Sequence, residues 1–124
     1  MERVVLMIDD DKDDQEVFEQ ELKKVIPSVK FLSAYNGEEG LEVLRKNEVD
    51  YIFLDINMPV MNGIDALKLI KKDEYLKNIP VIIYSTSDGR AYKKMALTLG
   101  AASYFTKPTS INGLHKMFEQ VFLI

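Results

Sequence analysis

Five short apolar runs, each followed by a segment whose apolar residues recur at helical spacing, constrain the fold of this chain more than any other feature. Val4 to Ile8 is a continuous apolar run, as expected of a strand covered on both faces. From Asp13 to Ile26 the period changes. Val17, Phe18, Leu22, Val25 and Ile26 fall on one helical face, with Glu16, Glu19, Gln20 and Lys23 opposite, and Pro27 follows the end. Lys30 to Ala34 reads as a second strand, and NGEEGLEVLRKN as a turn and a helix with Leu41, Val43 and Leu44 inward. Tyr51 to Leu54 is the third run; DINMPVMNG makes a loop with Pro59 and Gly63, and IDALKLIKK returns to helical spacing. Pro80 introduces VIIYS, rich in β-branched residues, and GRAYKKMALTLG makes a helix that closes at a C′ glycine, Gly100. SYFTKP supplies a fifth strand. Thr109 or Ser110 then caps a last helix whose inner face is Ile111, Leu114, Phe118, Val121 and Phe122.

Strict alternation of this kind argues for one parallel sheet with helices on both faces, and right-handed crossovers make it a doubly wound α/β fold with five strands and five helices. At 124 residues the chain suits one domain, residues 1–124, and five units are too few for a closed eight-stranded barrel. In open sheets of this class, sites form outside the carboxyl ends of the strands. Strand one ends in Asp9, Asp10 and Asp11, strand three in Asp55, strand four in Ser85 and Thr86, and strand five in Thr106 and Lys107 before Pro108. Strand two ends in Ala34 and Tyr35, which offer little.

Taken singly, these residues have plain structural explanations. Asp10, Asp11 or Asp13 could cap the first helix or favour its first turn, Asp55 could begin a turn, Ser85 could bond to backbone, and Lys107 could be a solvated loop lysine. Five aspartates among the six residues Asp9 to Asp14 exceed what one helix terminus needs. The sheet brings the ends of strands one, three and five together. Two carboxylates about 4 Å apart repel by roughly 4 kcal/mol at an effective dielectric near 20, so three in one cleft require a cation that one lysine cannot replace. Carboxylates, a carbonyl and water suit a hard divalent ion, and a shallow site that keeps several waters favours Mg²⁺ over Ca²⁺. An EF-hand loop is excluded: Asp9, Asp11 and Asp13 have its 1, 3, 5 spacing, but Asp14 stands where glycine is needed and Gln20 where glutamate is.

A net charge of −4 with dispersed lysines argues against direct nucleic-acid binding, and the absence of cysteine rules out disulfides and thiolate metal sites. No apolar stretch approaches the roughly 20 residues that span a bilayer, and Met1 to Arg3 leads straight into a strand, so a cytoplasmic location is expected.

IDDD after the first strand, FLDINMPVMNG around Asp55, PVIIYSTS through Ser85 and YFTKP with Lys107 stand in an order and at intervals that resemble the receiver domain of two-component response regulators. The resemblance extends over essentially the whole chain. It implies a flavodoxin-like receiver fold, of the single-domain, chemotaxis-regulator kind, acting as a phosphorylation-dependent signalling switch rather than as an enzyme on an external substrate. By resemblance, Asp55 matches the phosphoacceptor, which takes the group from a phosphohistidine on a histidine kinase or phosphotransfer protein. Asp10 matches the acid that binds Mg²⁺ directly, Asp9 its neighbour, and Asn57 the residue whose backbone carbonyl completes the metal site. Ser85 matches the hydroxyl that bonds a phosphoryl oxygen, Lys107 the lysine that pairs with the phosphoryl group, and Tyr104 the aromatic whose rotamer reports the state of the site. The peptide before Pro108 is commonly cis in this family. The change is then relayed to a surface of helix four, strand five and helix five that meets a downstream protein. Helix five ends at or near Ile124, so a single-domain regulator or an excised receiver is expected.

Departures from the family pattern are few. Ser85 lacks the methyl of the alternative threonine, Thr86 is larger than the common alanine, and Asn57 and Ser87, where members vary their dephosphorylation rates, carry no charge here. Two enzymatic or carrier alternatives fit poorly. A haloacid-dehalogenase-type phosphohydrolase wants an acid where Asn57 stands, and a flavodoxin-type carrier would meet phosphate with the repulsion of Asp9 to Asp14. An adapter that works without phosphorylation would need none of Asp9, Asp10, Asp55, Ser85 and Lys107.

Overall fold

The computed structural model describes residues 3–86 and 89–124. It contains β1 (Val4–Ile8), α1 (Lys12–Val25), β2 (Lys30–Ala34), α2 (Gly37–Lys46), β3 (Tyr51–Leu54), α3 (Gly63–Lys72), β4 (Val81–Ser85), α4 (Arg90–Thr98), β5 (Ser103–Thr106) and α5 (Ile111–Phe122). The strands form one parallel sheet in the order β2-β1-β3-β4-β5. Because the chain runs from β1 outward to β2 and then back across to β3, the strand order reverses between β1 and β3, and a crevice opens at their carboxyl ends.

Alternate strand residues feed two separate cores. Leu6, Ile8, Ile52, Leu54, Val81 and Ile83 pack against α2, α3 and α4, whereas Val5, Met7, Phe53, Ile82 and Tyr84 pack against α1 and α5. Burial on both faces explains why the strands read as unbroken apolar runs. Phe18 of α1 centres the second core, with edge-to-face contacts to Phe53, Tyr84 and Phe118 at centroid distances of 4.9, 5.3 and 5.1 Å.

Asp11, Asn36, Asn62 and Ser110 cap α1, α2, α3 and α5 through their side chains, which settles the two capping choices left open by the sequence. Gly100 takes φ +106° just beyond α4, as expected of a C′ glycine. Two inward assignments are corrected. Val17 and Ile111 are 43% and 49% exposed, because they flank a cleft between α1 and the β5–α5 loop together with Asp14, Lys107 and Pro108. Met117 takes the inner place on α5 instead, and Gln15 and Glu21, not marked as inward by the sequence, are buried on α1. Glu21 is held there by Lys24 at 2.9 Å and by His115 of α5 at 2.8 Å.

The β3–α3 loop is tightly folded beside the crevice. Val60 sits at φ +69° within a three-residue turn closed by a bond from the Met61 N–H to the Pro59 carbonyl at 2.8 Å, a conformation costly for a β-branched residue. Gly63 donates its N–H to the Ile56 carbonyl at 2.8 Å, and a Cβ there would overlap the Asp55 carbonyl oxygen and lie 2.7 Å from Ile56 Cα. At Gly40 the corresponding overlap is with the end of the flexible Ile8 side chain. Gly63→Ala should therefore destabilise the chain by about 3 kcal/mol or more, and Gly40→Ala by roughly 1–2 kcal/mol, since a side chain yields where backbone does not. Urea unfolding of both variants checks the order; equal losses would contradict the backbone origin of the Gly63 requirement.

Candidate functional site

Backbone ladders bring the chemical side chains to one edge. The Asp9 N–H bonds the Ala34 carbonyl at 3.0 Å, the Asp55 N–H bonds the Ile8 carbonyl at 3.0 Å, and the Lys107 N–H bonds the Ser85 carbonyl at 2.8 Å. The first residue beyond each of β1, β3 and β5 is thus tied to the neighbouring strand or its end. Gln15 locks the β1–β2 corner from below, its Nε2 lying 3.3, 3.0 and 2.8 Å from the carbonyls of Met7, Asp9 and Ala34.

Asp9, Asp10 and Asp55 each turn a carboxylate oxygen into the crevice, and these oxygens all lie within 4.8 Å of one another. Asp9 and Asp55 are 1% and 6% exposed, while Asp10 faces solvent. Burial pushes Asp9 up to about 6, against the pull of Lys107 and of the Asp11 N–H, which bonds its Oδ1 at 2.9 Å. Burial also raises Asp55, opposed by a hydrogen bond from Ser85, by the charge of Lys107 and by the Asn57 N–H, with Asp10 adding to the rise. Ser85 is fully buried at the end of β4, and Thr86 is exposed.

Lys107 has its Nζ 2.8 Å from Asp9 Oδ2 and 2.7 Å from Asp14 Oδ2, and only the second contact has hydrogen-bond geometry. Burial works to lower its pKa, yet the hydrogen bond to Asp14 and the close negative charge of Asp9 hold it above the ordinary lysine range. Tyr104, on β5, is half-buried against the core beneath α2, α3 and α4. Ser87 lies outside the described residues. The described peptide bonds are all trans, including Lys107–Pro108, where the resemblance implies cis; trans is the favoured isomer of an X–Pro bond by roughly 0.5–1 kcal/mol.

The sequence-expected residues Asp9, Asp10, Asp55, Ser85 and Lys107 therefore meet in one crevice. The donor set fits a hard divalent cation: carboxylates converge from two strands, and the buried Asp55 Oδ1 lacks a hydrogen-bond partner among the described residues. Asp14 and Gln15 were not singled out by sequence. Gln15 left a signal, since it shares the helical stripe of Phe18 and Leu22, where a polar residue needs buried partners.

The raised pKa of Asp9 has a consequence for stability when divalent ions are chelated. Folded Asp9 binds its proton with a pKa of about 6 against 3.8 for the free side chain, so the stability tied to that proton is complete below about pH 4 and is lost as pH rises through about 6. Relative to the unsubstituted chain, Asp9→Asn should gain about 2–3 kcal/mol between roughly pH 4 and pH 7, measured by urea unfolding in chelator. A difference that does not vary with pH would mean that folding leaves Asp9 unperturbed.

The chain matches the model of the response regulator receiver domain over residues 5–119. It is 34% identical over 106 residues to the uncharacterized transcriptional regulatory protein YcbL of Bacillus subtilis, covering 86% of this chain and 45% of that protein. It thus spans under half the length of that relative. It is 30% identical over 113 residues to chemotaxis protein CheY-3 of Vibrio cholerae, covering 89% of this chain and 87% of that protein. Among solved structures it is similar to the phosphorylated cyanobacterial phytochrome response regulator RcpA, with 26% identity, a TM-score of 0.90 and coverage of 99% and 95%. It is also similar to the Mn²⁺-bound form of response regulator Rcp1, with 25% identity, a TM-score of 0.86 and coverage of 96% and 91%. With the acidic crevice at the expected strand ends, these likenesses establish that the chain belongs to the response regulator receiver domain family, whose members are phosphorylation-dependent switches of two-component signalling.

Proposed function

We propose that residues 1–124 form one receiver domain in which Asp55 accepts the phosphoryl group and Asp9, Asp10, Ser85 and Lys107 make the transfer possible. The observation that carries this reading is the convergence of three carboxylates and the Lys107 ammonium on the β1–β3 switch point. A histidine kinase or a phosphotransfer protein supplies the group as phosphohistidine. An Asp55 carboxylate oxygen bonds to phosphorus as the phosphorus–nitrogen bond breaks, and the electron pair departs with the imidazole. Hydrolysis reverses the modification: water adds to phosphorus, the Asp55 carboxylate leaves, and inorganic phosphate is released.

The domain in this reading catalyses both steps on itself, mainly by alignment and charge. Asp9, Asp10 and Asp55, with the Asn57 backbone carbonyl, hold Mg²⁺, which when bound supplies positive charge against the phosphoryl oxygens. A manganese-bound neighbour and a phosphorylated neighbour of the same fold support divalent-ion and phosphoryl chemistry for a domain of this kind. Lys107 carries the remaining positive charge. The Ser85 hydroxyl, now bonded to the Asp55 carboxylate, moves to a phosphoryl oxygen. Tyr104 responds by rotating inward, which biases the surface of α4, β5 and α5 toward or away from a downstream protein. A coupling of about 1–3 kcal/mol suffices to change partner affinity several-fold or more. Among the described residues no helix is long and apolar enough to cross a membrane, and the reading places the domain in the cytoplasm with its kinase.

Incubation with acetyl phosphate and Mg²⁺ followed by intact-mass spectrometry tests this directly. One phosphoryl group should be added to the unsubstituted chain and none to Asp55→Ala. A modification that survives Asp55→Ala would overturn the assignment, and no modification at all would favour an adapter that works without phosphate. Mg²⁺ at about 100 times its dissociation constant should also stabilise the fold by about 2.7 kcal/mol, and Asp10→Asn should abolish most of that gain in thermal unfolding. An equal gain in the variant would remove Asp10 from the site.

A further inference from the structure

Among the described residues Lys107 has two anionic partners, and only one of them belongs to the acidic set that meets Asp55. Its Nζ donates to Asp14 Oδ2 at 2.7 Å, across 93 residues of sequence, and lies 2.8 Å from Asp9 Oδ2. Among the described residues no ion pair joins it to Asp55. Asp14 stands in the first turn of α1, where the macrodipole favours an acid, but the exposed Asp13 beside it meets that preference equally. The dipole gives no reason for a carboxylate that reaches from α1 to the end of β5. The lysine side chain is 11% exposed and that of Asp14 40%, so the pair is shielded from water on the lysine side.

We propose that Asp14 is a positioning residue that holds the Lys107 ammonium on the β1–α1 side of the crevice while Asp55 is unmodified, and releases it when a phosphoryl group forms. The inference rests on the reading of Asp55 and Lys107 given above. With acetyl phosphate as donor, an Asp55 oxygen bonds to phosphorus while the bond from phosphorus to the acetate oxygen breaks, and acetate leaves with the electron pair. The single negative charge of Asp55 is thereby replaced by roughly two on the phosphoryl group. That stronger anion outcompetes the lone carboxylate of Asp14, so Lys107 changes partners as the transfer proceeds. Asp14 accordingly stabilises the unmodified state more than the modified one, and sets how readily the domain charges.

The test compares initial rates of phosphorylation by acetyl phosphate with Mg²⁺ in four substitutions. Asp14→Asn should raise the rate about three- to tenfold, the effect of a charge-assisted pair with one partner screened by solvent. Asp13→Asn, the same change of charge one residue away, should leave it unchanged, and Asp14→Glu should stay near the original rate. In a Lys107→Met background, adding Asp14→Asn should change nothing. Equal rates for Asp14→Asn and Asp13→Asn, or an effect that persists without Lys107, would overturn the role of Asp14 alone. A chain that takes no phosphoryl group in any form would overturn the reading of Asp55, and this inference with it.

Discussion

Two carboxylates are removed from water at the ends of adjacent strands, Asp9 on β1 and Asp55 on β3, and the crevice is organised around that cost. Each is disfavoured as an anion by its burial, and the charge of Asp55 adds to the penalty on Asp9. Among the described residues one ammonium, that of Lys107, pairs with Asp9, and it is shared with Asp14. The folded chain thus keeps unmet demand for positive charge at its topological switch point, which is the physical basis for attracting a divalent ion.

The rest of the fold holds this arrangement in place. Two cores on opposite faces of the sheet fix the register of β1 against β3, so Asp9 and Asp55 cannot separate without breaking ladder bonds. Gln15 spends its amide on the backbone at the β1–β2 corner, and Gly63 lets the β3–α3 loop lie against the Asp55 backbone. Stability and function pull in opposite directions here, as expected where like charges are gathered on purpose.

Much of this was legible in the sequence. Strand bounds at Lys30–Ala34, Tyr51–Leu54 and Val81–Ser85 agree with the structure, because strands covered on both faces announce themselves as apolar runs ended by polar residues. The meeting of Asp9, Asp10 and Asp55 followed from parallel topology alone. What escaped was set by tertiary detail. Val17 and Ile111 satisfy the helical period but border an open cleft, and the partner of Asp14 is 93 residues away, at a distance no local pattern encodes. Asp11 rather than Asp10 or Asp13 caps α1, a choice decided by backbone angles that the run of aspartates leaves open.

A crystal structure of the chain grown with Mn²⁺, with anomalous scattering recorded at the manganese edge, addresses the central claim most directly. The account requires one strong peak bonded to carboxylate oxygens of Asp10 and Asp55 and adjacent to Asp9, with Lys107 displaced toward Asp14. Density absent from the crevice, or centred instead on Asp11 and Asp13, would contradict it.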